Sequence, residues 1–163
     1  SAIREKGSCV LVEGNLDVVL SHQAGVENAV APCGTAFSLD HFRIIKRYGD
    51  KLLLAFDADE AGDAALQRSV GTALSQGFRV MVAAVPLGKD AADVVKENPK
   101  LWLAAVEKPV PYVEYILARS LTKFPSGVEG KKAVLAAVLA VDMTAITVAP
   151  ADAIDINLSF CLK

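Results

Sequence analysis

The sequence has few cysteines, no surplus of basic residues and few histidines, and each shortage excludes a class of protein. Its three cysteines are widely spaced and form no Cys-x-x-Cys pair, so neither a zinc site nor a disulfide framework is indicated. This cysteine usage favours a cytoplasmic protein. The formal net charge is −2, whereas nucleic-acid-binding domains usually carry a basic surplus. A polyanionic partner would therefore have to be held by metal ions, a local basic patch or a neighbouring domain.

Long apolar runs are also missing. The longest, Ala133 to Val141, is far shorter than the roughly 20 residues that a membrane-spanning helix needs. We expect a buried helix there, no membrane partner, and no signal peptide at the N-terminus. Hydrophobic residues make up 53% of the 163 residues, which is enough to build a sizeable core. The length suits one compact domain, or one domain with part of another.

Short apolar runs alternate with helix-like segments in the first part of the chain. The runs are CVLV (9–12), NAVA (28–31), KLLLAF (51–56) and FRVMVAAV (78–85). Continuous apolar strands joined by segments long enough for a helix predict parallel strands that are buried on both faces. We therefore expect residues 1–97 to form an α/β domain, with a mainly parallel sheet flanked by helices.

The strand pattern stops after Asn98 and Pro99. The rest of the chain has helical periodicity, interrupted by residues that break helices: Pro109, Pro111, Pro125, Gly127 and Pro150. We expect residues 98–163 to form an all-helical subdomain.

Acidic side chains follow three of the predicted strands. Glu13 comes directly after the first strand, Asp57 after the third, and Asp90 and Asp93 soon after the fourth. The carboxyl ends of parallel strands lie at one edge of the sheet, where open α/β folds bind ligands. Carboxylates gathered there would repel one another unless cations lay between them.

The donor atoms available at this edge favour magnesium. Carboxylate oxygens suit Mg²⁺, and no histidine occurs in these segments, which argues against zinc or iron. Asp57 and Asp59 can share one face if the backbone is extended, and Gly14 permits a tight turn where a phosphate could approach. The residues alone therefore predict a Mg²⁺ site that handles phosphoryl groups, with solvated loop acids as the open alternative.

Four blocks of sequence resemble bacterial DnaG-type DNA primases. VEGNLDVV, VAPCGTAFS, FDADEAGDAALQRS and VPLGKDAADVV occur in the order found in that family. Together they resemble the TOPRIM domain, the metal-binding module that primases share with topoisomerases and some nucleases. The helical remainder resembles the third subdomain of the primase catalytic core, so the resemblance covers nearly the whole chain.

The resemblance implies catalytic roles for three acids. Glu13 matches the glutamate thought to bind metal or to take the proton from the attacking 3′-hydroxyl. Asp57 and Asp59 match the acidic pair that binds divalent metals, and Asp90 matches a further metal-binding acid. The implied cofactor is Mg²⁺, for which Mn²⁺ can substitute; zinc is implied only for a domain absent from this chain.

Other positions match supporting residues of the family. Asp17 closes the first motif or, as the simpler alternative, only favours the start of its helix. Gly34 and Thr35 match a loop near the site. Arg68 matches a basic helix position where phosphate contact is plausible, although a solvated helix residue is the alternative. The fourth block departs from the family, since Ala92 stands where an acid is usual; Asp93 is the candidate to replace it.

The resemblance implies a fragment of a primase, an enzyme that makes short RNA primers by Mg²⁺-dependent nucleotidyl transfer. Its implied partners are single-stranded DNA, ribonucleoside triphosphates and the replicative helicase, the last through regions absent here. We expect the fragment alone to make little or no primer.

Two alternatives remain open at this stage. One is a TOPRIM nuclease or topoisomerase fragment, although a topoisomerase needs a nucleophilic tyrosine and nothing distinguishes Tyr48, Tyr112 or Tyr115. The other is a non-catalytic module that binds metal or a protein partner, with its apolar helical tail as the interface.

Overall fold

A computed structural model describes residues 1–32, 37–56, 69–86, 89–123 and Lys132. The described residues form five strands and seven helices, and helix α4 is described over residues 69–75. The strands are β1 (Ser8–Leu11), β2 (Ala29–Val30), β3 (Lys51–Leu54), β4 (Arg79–Val82) and β5 (Val110–Pro111). The other helices are α1 (Ala2–Lys6), α2 (Asn15–Gln23), α3 (Leu39–Lys46), α5 (Ala91–Glu97), α6 (Pro99–Glu107) and α7 (Tyr112–Lys123).

The strands form one sheet in the order β2-β1-β3-β4-β5. The first four strands are parallel, with Val10 of β1 beside Leu53 of β3 and Leu53 beside Met81 of β4. The prediction of a mainly parallel sheet from the four apolar runs is therefore confirmed.

Successive side chains of the central strands enter two different cores. Cys9 and Leu11 of β1 pack in a cluster with residues of α3, α4 and α7, while Val10 and Val12 pack in a cluster with residues of α5 and α6. We call these two sides of the sheet the α3 face and the α2 face, since partly buried residues of α2 also pack against the second cluster. Burial on both faces explains why these strands read as continuous apolar runs.

Several helices begin where the sequence supplies a polar cap. Ser38 accepts a hydrogen bond through its side chain from the backbone N–H of His41 at the start of α3. Asn98 caps α6 in the same way through the N–H of Lys100, and Pro99 occupies the first helical position, where no N–H is required.

The strand order reverses direction between β1 and β3. From β1 the chain passes through α2 to β2 on one side, whereas β3 and β4 follow on the other side. The segment after β1 leads to the α2 face, while α4, which follows β3, packs on the α3 face. Such a switch point opens a crevice at the carboxyl edge of a parallel sheet, and ligands of open α/β folds bind there.

Strand β5 is a difference from the sequence-based expectation of helices alone after residue 98. It pairs antiparallel with β4, so that Met81 lies beside Pro111 and Val82 beside Val110. In the sequence, proline indicates the end of a helix or strand. An edge strand nevertheless tolerates proline, because one side of that strand needs no hydrogen-bond donor. Tyr112 of α7 then packs in the α3-face core, and the expected boundary between residues 97 and 98 stays a prediction.

No helix within the described ranges is long and apolar enough to cross a membrane.

The buried thiol of Cys9 should not react with alkylating reagents until the protein unfolds. Desolvation by burial raises its pKa to about 12, so the thiol stays protonated at neutral pH, and the thiolate is the reactive form. We expect the Cys9 peptide to resist alkylation by iodoacetamide in the native protein and to react fully in denaturant, as read by peptide mass spectrometry. Alkylation of Cys9 at equal rates in both conditions would contradict its placement in the core.

Candidate functional site

Glu13 lies at the carboxyl edge of the sheet, directly after the hydrogen-bonded part of β1. The backbone N–H of Val12 still donates to the carbonyl oxygen of Val30 at 3.0 Å, which continues the ladder by one residue. The Glu13 side chain is exposed, and Gly14 follows in an extended conformation as the residue before α2. The β1 exit therefore presents this carboxylate to solvent beside the switch point.

Asp17 joins two segments of this edge. Its Oδ2 accepts a hydrogen bond from the backbone N–H of Gly14 at 2.9 Å, and its Oδ1 accepts one from the backbone N–H of Ala92 at 2.9 Å. The side chain is only 6% exposed. A buried carboxylate thus connects the β1–α2 segment to the start of α5, which lies 75 residues further along the chain.

The surroundings of Asp17 act on its ionisation in opposite directions. Burial raises the pKa of this carboxyl above its ordinary value, and the hydrogen bonds from Ala92 and Gly14 oppose that rise. The negative charges of Asp90 and Asp93 raise the pKa further. Asp17, Asp90 and Asp93 are therefore close enough for their charges to act on one another.

Asp90 is fixed at the start of α5. Its Oδ1 accepts a hydrogen bond from the backbone N–H of Asp93 at 2.6 Å, which makes Asp90 the N-cap of the helix. Asp93 lies one turn further on, where its Oδ1 is 3.6 Å from Nζ of Lys96 in an exposed ion pair. Exposed pairs of this kind contribute little to stability.

Ala92 is buried, with 1% of its surface exposed. Its contribution to the site is its backbone N–H, which donates to Asp17, and not its side chain. Sequence reasoning missed this bond because a backbone amide leaves no signal in the residue type. The only hint is the position of Asp17 in the first turn of α2, three residues after Gly14.

The remaining predicted site residues lie outside the described part of the chain. These are Asp57, Asp59, Gly34, Thr35 and Arg68. Phe56, which directly precedes Asp57, is described and belongs to the α3-face core at the carboxyl end of β3. Within the described ranges, no three His, Cys, Asp or Glu residues are grouped so that they could hold a metal ion.

The carboxylate oxygens of the described residues are donors that suit a hard divalent cation. Glu13 and Asp90 offer carboxylate oxygens from segments that Asp17 ties together, and oxygen is the donor that Mg²⁺ prefers. Asp17 fits less well as a ligand, because it is buried and each of its oxygens already accepts a backbone hydrogen bond.

Comparison with known proteins gives consistent matches. The sequence pattern described as Toprim-like matches residues 10–95. The DNA primase of Clostridium acetobutylicum is 36% identical over 112 residues, which are 68% of this chain and 19% of the relative. The DNA primase of Borreliella burgdorferi is 38% identical over 96 residues, covering 59% of this chain and 18% of the relative. This chain thus spans about a fifth of the length of these relatives.

Solved structures agree with the sequence matches. The RNA polymerase domain of Mycobacterium tuberculosis primase DnaG, in complex with double-stranded DNA, superposes with a TM-score of 0.70 and 29% identity. The match covers 89% of this chain and 50% of that one. The predicted resemblance to DnaG-type primases is confirmed.

Proposed function

Because the chain belongs to the Toprim-like family, we propose that it is the metal-binding part of a DNA primase. In this proposal it serves template-directed synthesis of short RNA primers. The observation that supports the proposal is that Glu13 directly follows β1 beside the switch point, while Asp17 hydrogen-bonds Gly14, the next residue, and the start of α5, which Asp90 caps. The similarity to DNA primases on both sequence and structure supports the reaction class.

The chain's own contribution to the reaction is the placement of negative charge. Glu13, Asp57, Asp59 and Asp90 would hold divalent cations, and Glu13 alternatively accepts the proton of the attacking hydroxyl. A bound divalent cation polarises a phosphoryl oxygen, lowers the pKa of a bound hydroxyl and neutralises charge on a departing pyrophosphate. Phosphoryl transfer depends mainly on such positioning and charge stabilisation, so fixed carboxylates are the feature that matters.

The proposed partners follow from the proposed primase function. The similar M. tuberculosis domain holds double-stranded DNA, which supports a DNA template here. Ribonucleoside triphosphates would be the second substrate, and the helicase would contact other regions of the primase. A net charge of −2 requires that cations or neighbouring regions offset repulsion from the template. In this proposal residues 1–97 carry the metal-binding domain and residues 98–163 the subdomain that follows it.

The test is calorimetric titration of Mn²⁺ and Mg²⁺ into this chain and into its Asp57→Asn/Asp59→Asn variant. We expect the unsubstituted chain to bind Mn²⁺ and the variant to lose that binding, because two anionic ligands become neutral amides. The matched control is Glu5→Gln/Glu27→Gln, which also removes two negative charges but from exposed positions that precede β1 and β2, at the opposite edge of the sheet. The control should bind like the unsubstituted chain.

Two results would overturn the proposal. Equal binding by the chain and by Asp57→Asn/Asp59→Asn would make these aspartates ordinary loop acids. The absence of binding by both, with unchanged circular dichroism, would remove the metal site itself.

A further inference from the structure

We propose that Asp17 is a positioning residue, which sets the place of Asp90 relative to Glu13 instead of binding metal itself. This inference rests on the proposed function, since it concerns the same metal site. It goes beyond that function by assigning a distinct role to a carboxylate that the sequence places only in the first motif or at a helix start.

The hydrogen bonds of Asp17 distinguish positioning from a simple helix start. A residue that only favours the start of α2 needs no more than its bond to the N–H of Gly14. The second bond, from Oδ1 to the N–H of Ala92, reaches a different element and has the same length of 2.9 Å. Burial strengthens both bonds, and it also makes the loss of either one costly.

Gly14 is held tightly against the carboxylate. A Cβ atom built on Gly14 would lie 3.1 Å from Oδ2 of Asp17, which is closer than ordinary van der Waals contact. Any side chain larger than hydrogen at position 14 would therefore crowd the Asp17 carboxylate. Because Gly14 directly follows Glu13, the hydrogen bond from Gly14 to Asp17 also restrains the backbone of Glu13.

The other end of the connection lies next to Asp90. Ala92 is two residues after Asp90, and the N–H of Asp93 fixes the Asp90 carboxylate at the cap. Helix α5 also packs along α2, where Asp17 and Ser21 are buried one turn apart. Since the bond from Ala92 to Asp17 joins the first turns of α2 and α5, its loss should shift Asp90 relative to Glu13, while the remaining packing of the two helices is kept.

The expected consequence is weaker metal binding without loss of a ligand. Residues that orient metal ligands typically change metal affinity by about 10–100-fold when they are replaced. We expect Asp17→Asn to weaken Mn²⁺ binding by this amount, because the amide –NH₂ of asparagine cannot accept one of the two backbone hydrogen bonds. The charge-matched control is Glu27→Gln, which lies before β2 at the opposite edge of the sheet and should leave the affinity unchanged.

Amide hydrogen exchange measured by NMR supplies a readout that does not depend on metal. In the unsubstituted chain the N–H groups of Gly14 and Ala92 should exchange slowly, and in Asp17→Asn at least one of them should exchange faster. Should Asp17→Asn fail to fold by circular dichroism, Asp17→Glu replaces it. Glutamate keeps the charge but displaces the carboxylate by one methylene, so Mn²⁺ affinity should still fall.

A double-mutant cycle tests whether Asp17 acts through Asp90. Asp17→Asn should weaken Mn²⁺ binding much less in an Asp90→Asn background than in the unsubstituted chain. Equal binding by the unsubstituted chain and Asp17→Asn overturns this inference but leaves the proposed function intact. Lost Mn²⁺ binding with the Gly14 and Ala92 amides still protected also overturns it, because Asp17 would then act on the metal directly. No binding by the unsubstituted chain overturns the proposed function, and the inference with it.

Discussion

In the proposed primase, replacement of Glu13 by glutamine is expected to slow primer synthesis by about 10²–10⁴-fold, the range typical of a lost proton-transfer group. Glutamine has nearly the same shape as glutamate but is neutral and cannot accept the proton of an attacking hydroxyl. The Glu13 side chain is exposed, so the substitution should change the free energy of unfolding little. The loss would therefore be one of chemistry and not of folding.

The measurement is incorporation of labelled ribonucleotides on a single-stranded DNA template, with Glu27→Gln as the control for the same chemical change elsewhere. Mn²⁺ titration of Glu13→Gln then separates the two roles of this residue. Retained affinity with a lost rate indicates a proton acceptor, whereas a parallel fall in both indicates a metal ligand. A Glu13→Gln rate equal to that of the control would remove Glu13 from the site.

The second large effect concerns the core of the α2 face. Trp102 of α6 is fully buried there, packed in the cluster that also contains Val10 of β1 and Val94 of α5. Trp102→Ala is expected to destabilise the protein by about 3–5 kcal/mol, as is usual when a buried aromatic side chain is truncated. Because Asp90 caps α5, partial loss of this core would also loosen one side of the candidate site.

Urea denaturation followed by circular dichroism measures this effect. The control is Leu101→Ala on the same helix, whose side chain is 53% exposed and whose loss should lower the midpoint only slightly. Trp102→Phe is informative as well. Among the described contacts the Trp102 Nε1–H has no hydrogen-bond partner, so phenylalanine removes an unsatisfied donor and should cost much less than alanine. Equal midpoints for Trp102→Ala and Leu101→Ala would contradict the assignment of Trp102 to the core.

The sequence predicts those parts of the fold that depend on local pattern. β1 and β3 are buried on both faces, and their continuous apolar residues identify them as parallel strands. The strand order and β5 depend on pairing between distant segments, and two residues that include Pro111 carry no periodicity to reveal a strand. Local chemistry predicts the former, and tertiary contacts decide the latter.

In the candidate site, too, some features follow from local sequence and others depend on contacts between distant segments. The positions of Glu13 and Asp90 depend on local sequence: Glu13 comes just after the apolar run of β1, and Asp90 comes just before α5. The bond from Asp17 to Ala92 could not be predicted, because its donor is a backbone N–H that any residue except proline would supply. The roles of Asp57 and Asp59, which lie outside the described residues, stay predictions.

The edge strands of the described sheet are very short. Its outer strands, β2 and β5, are two residues long, and Pro111 of β5 has no N–H to donate. Exposed edge strands are the places where sheets of separate molecules add to one another and aggregate, and short or proline-containing edges prevent this. The longer apolar strands β1 and β3 are enclosed between neighbours, so they can pair with another molecule only after the sheet opens. The described sheet therefore offers little edge for such association while it is folded, and β1 and β3 become available for it only on unfolding.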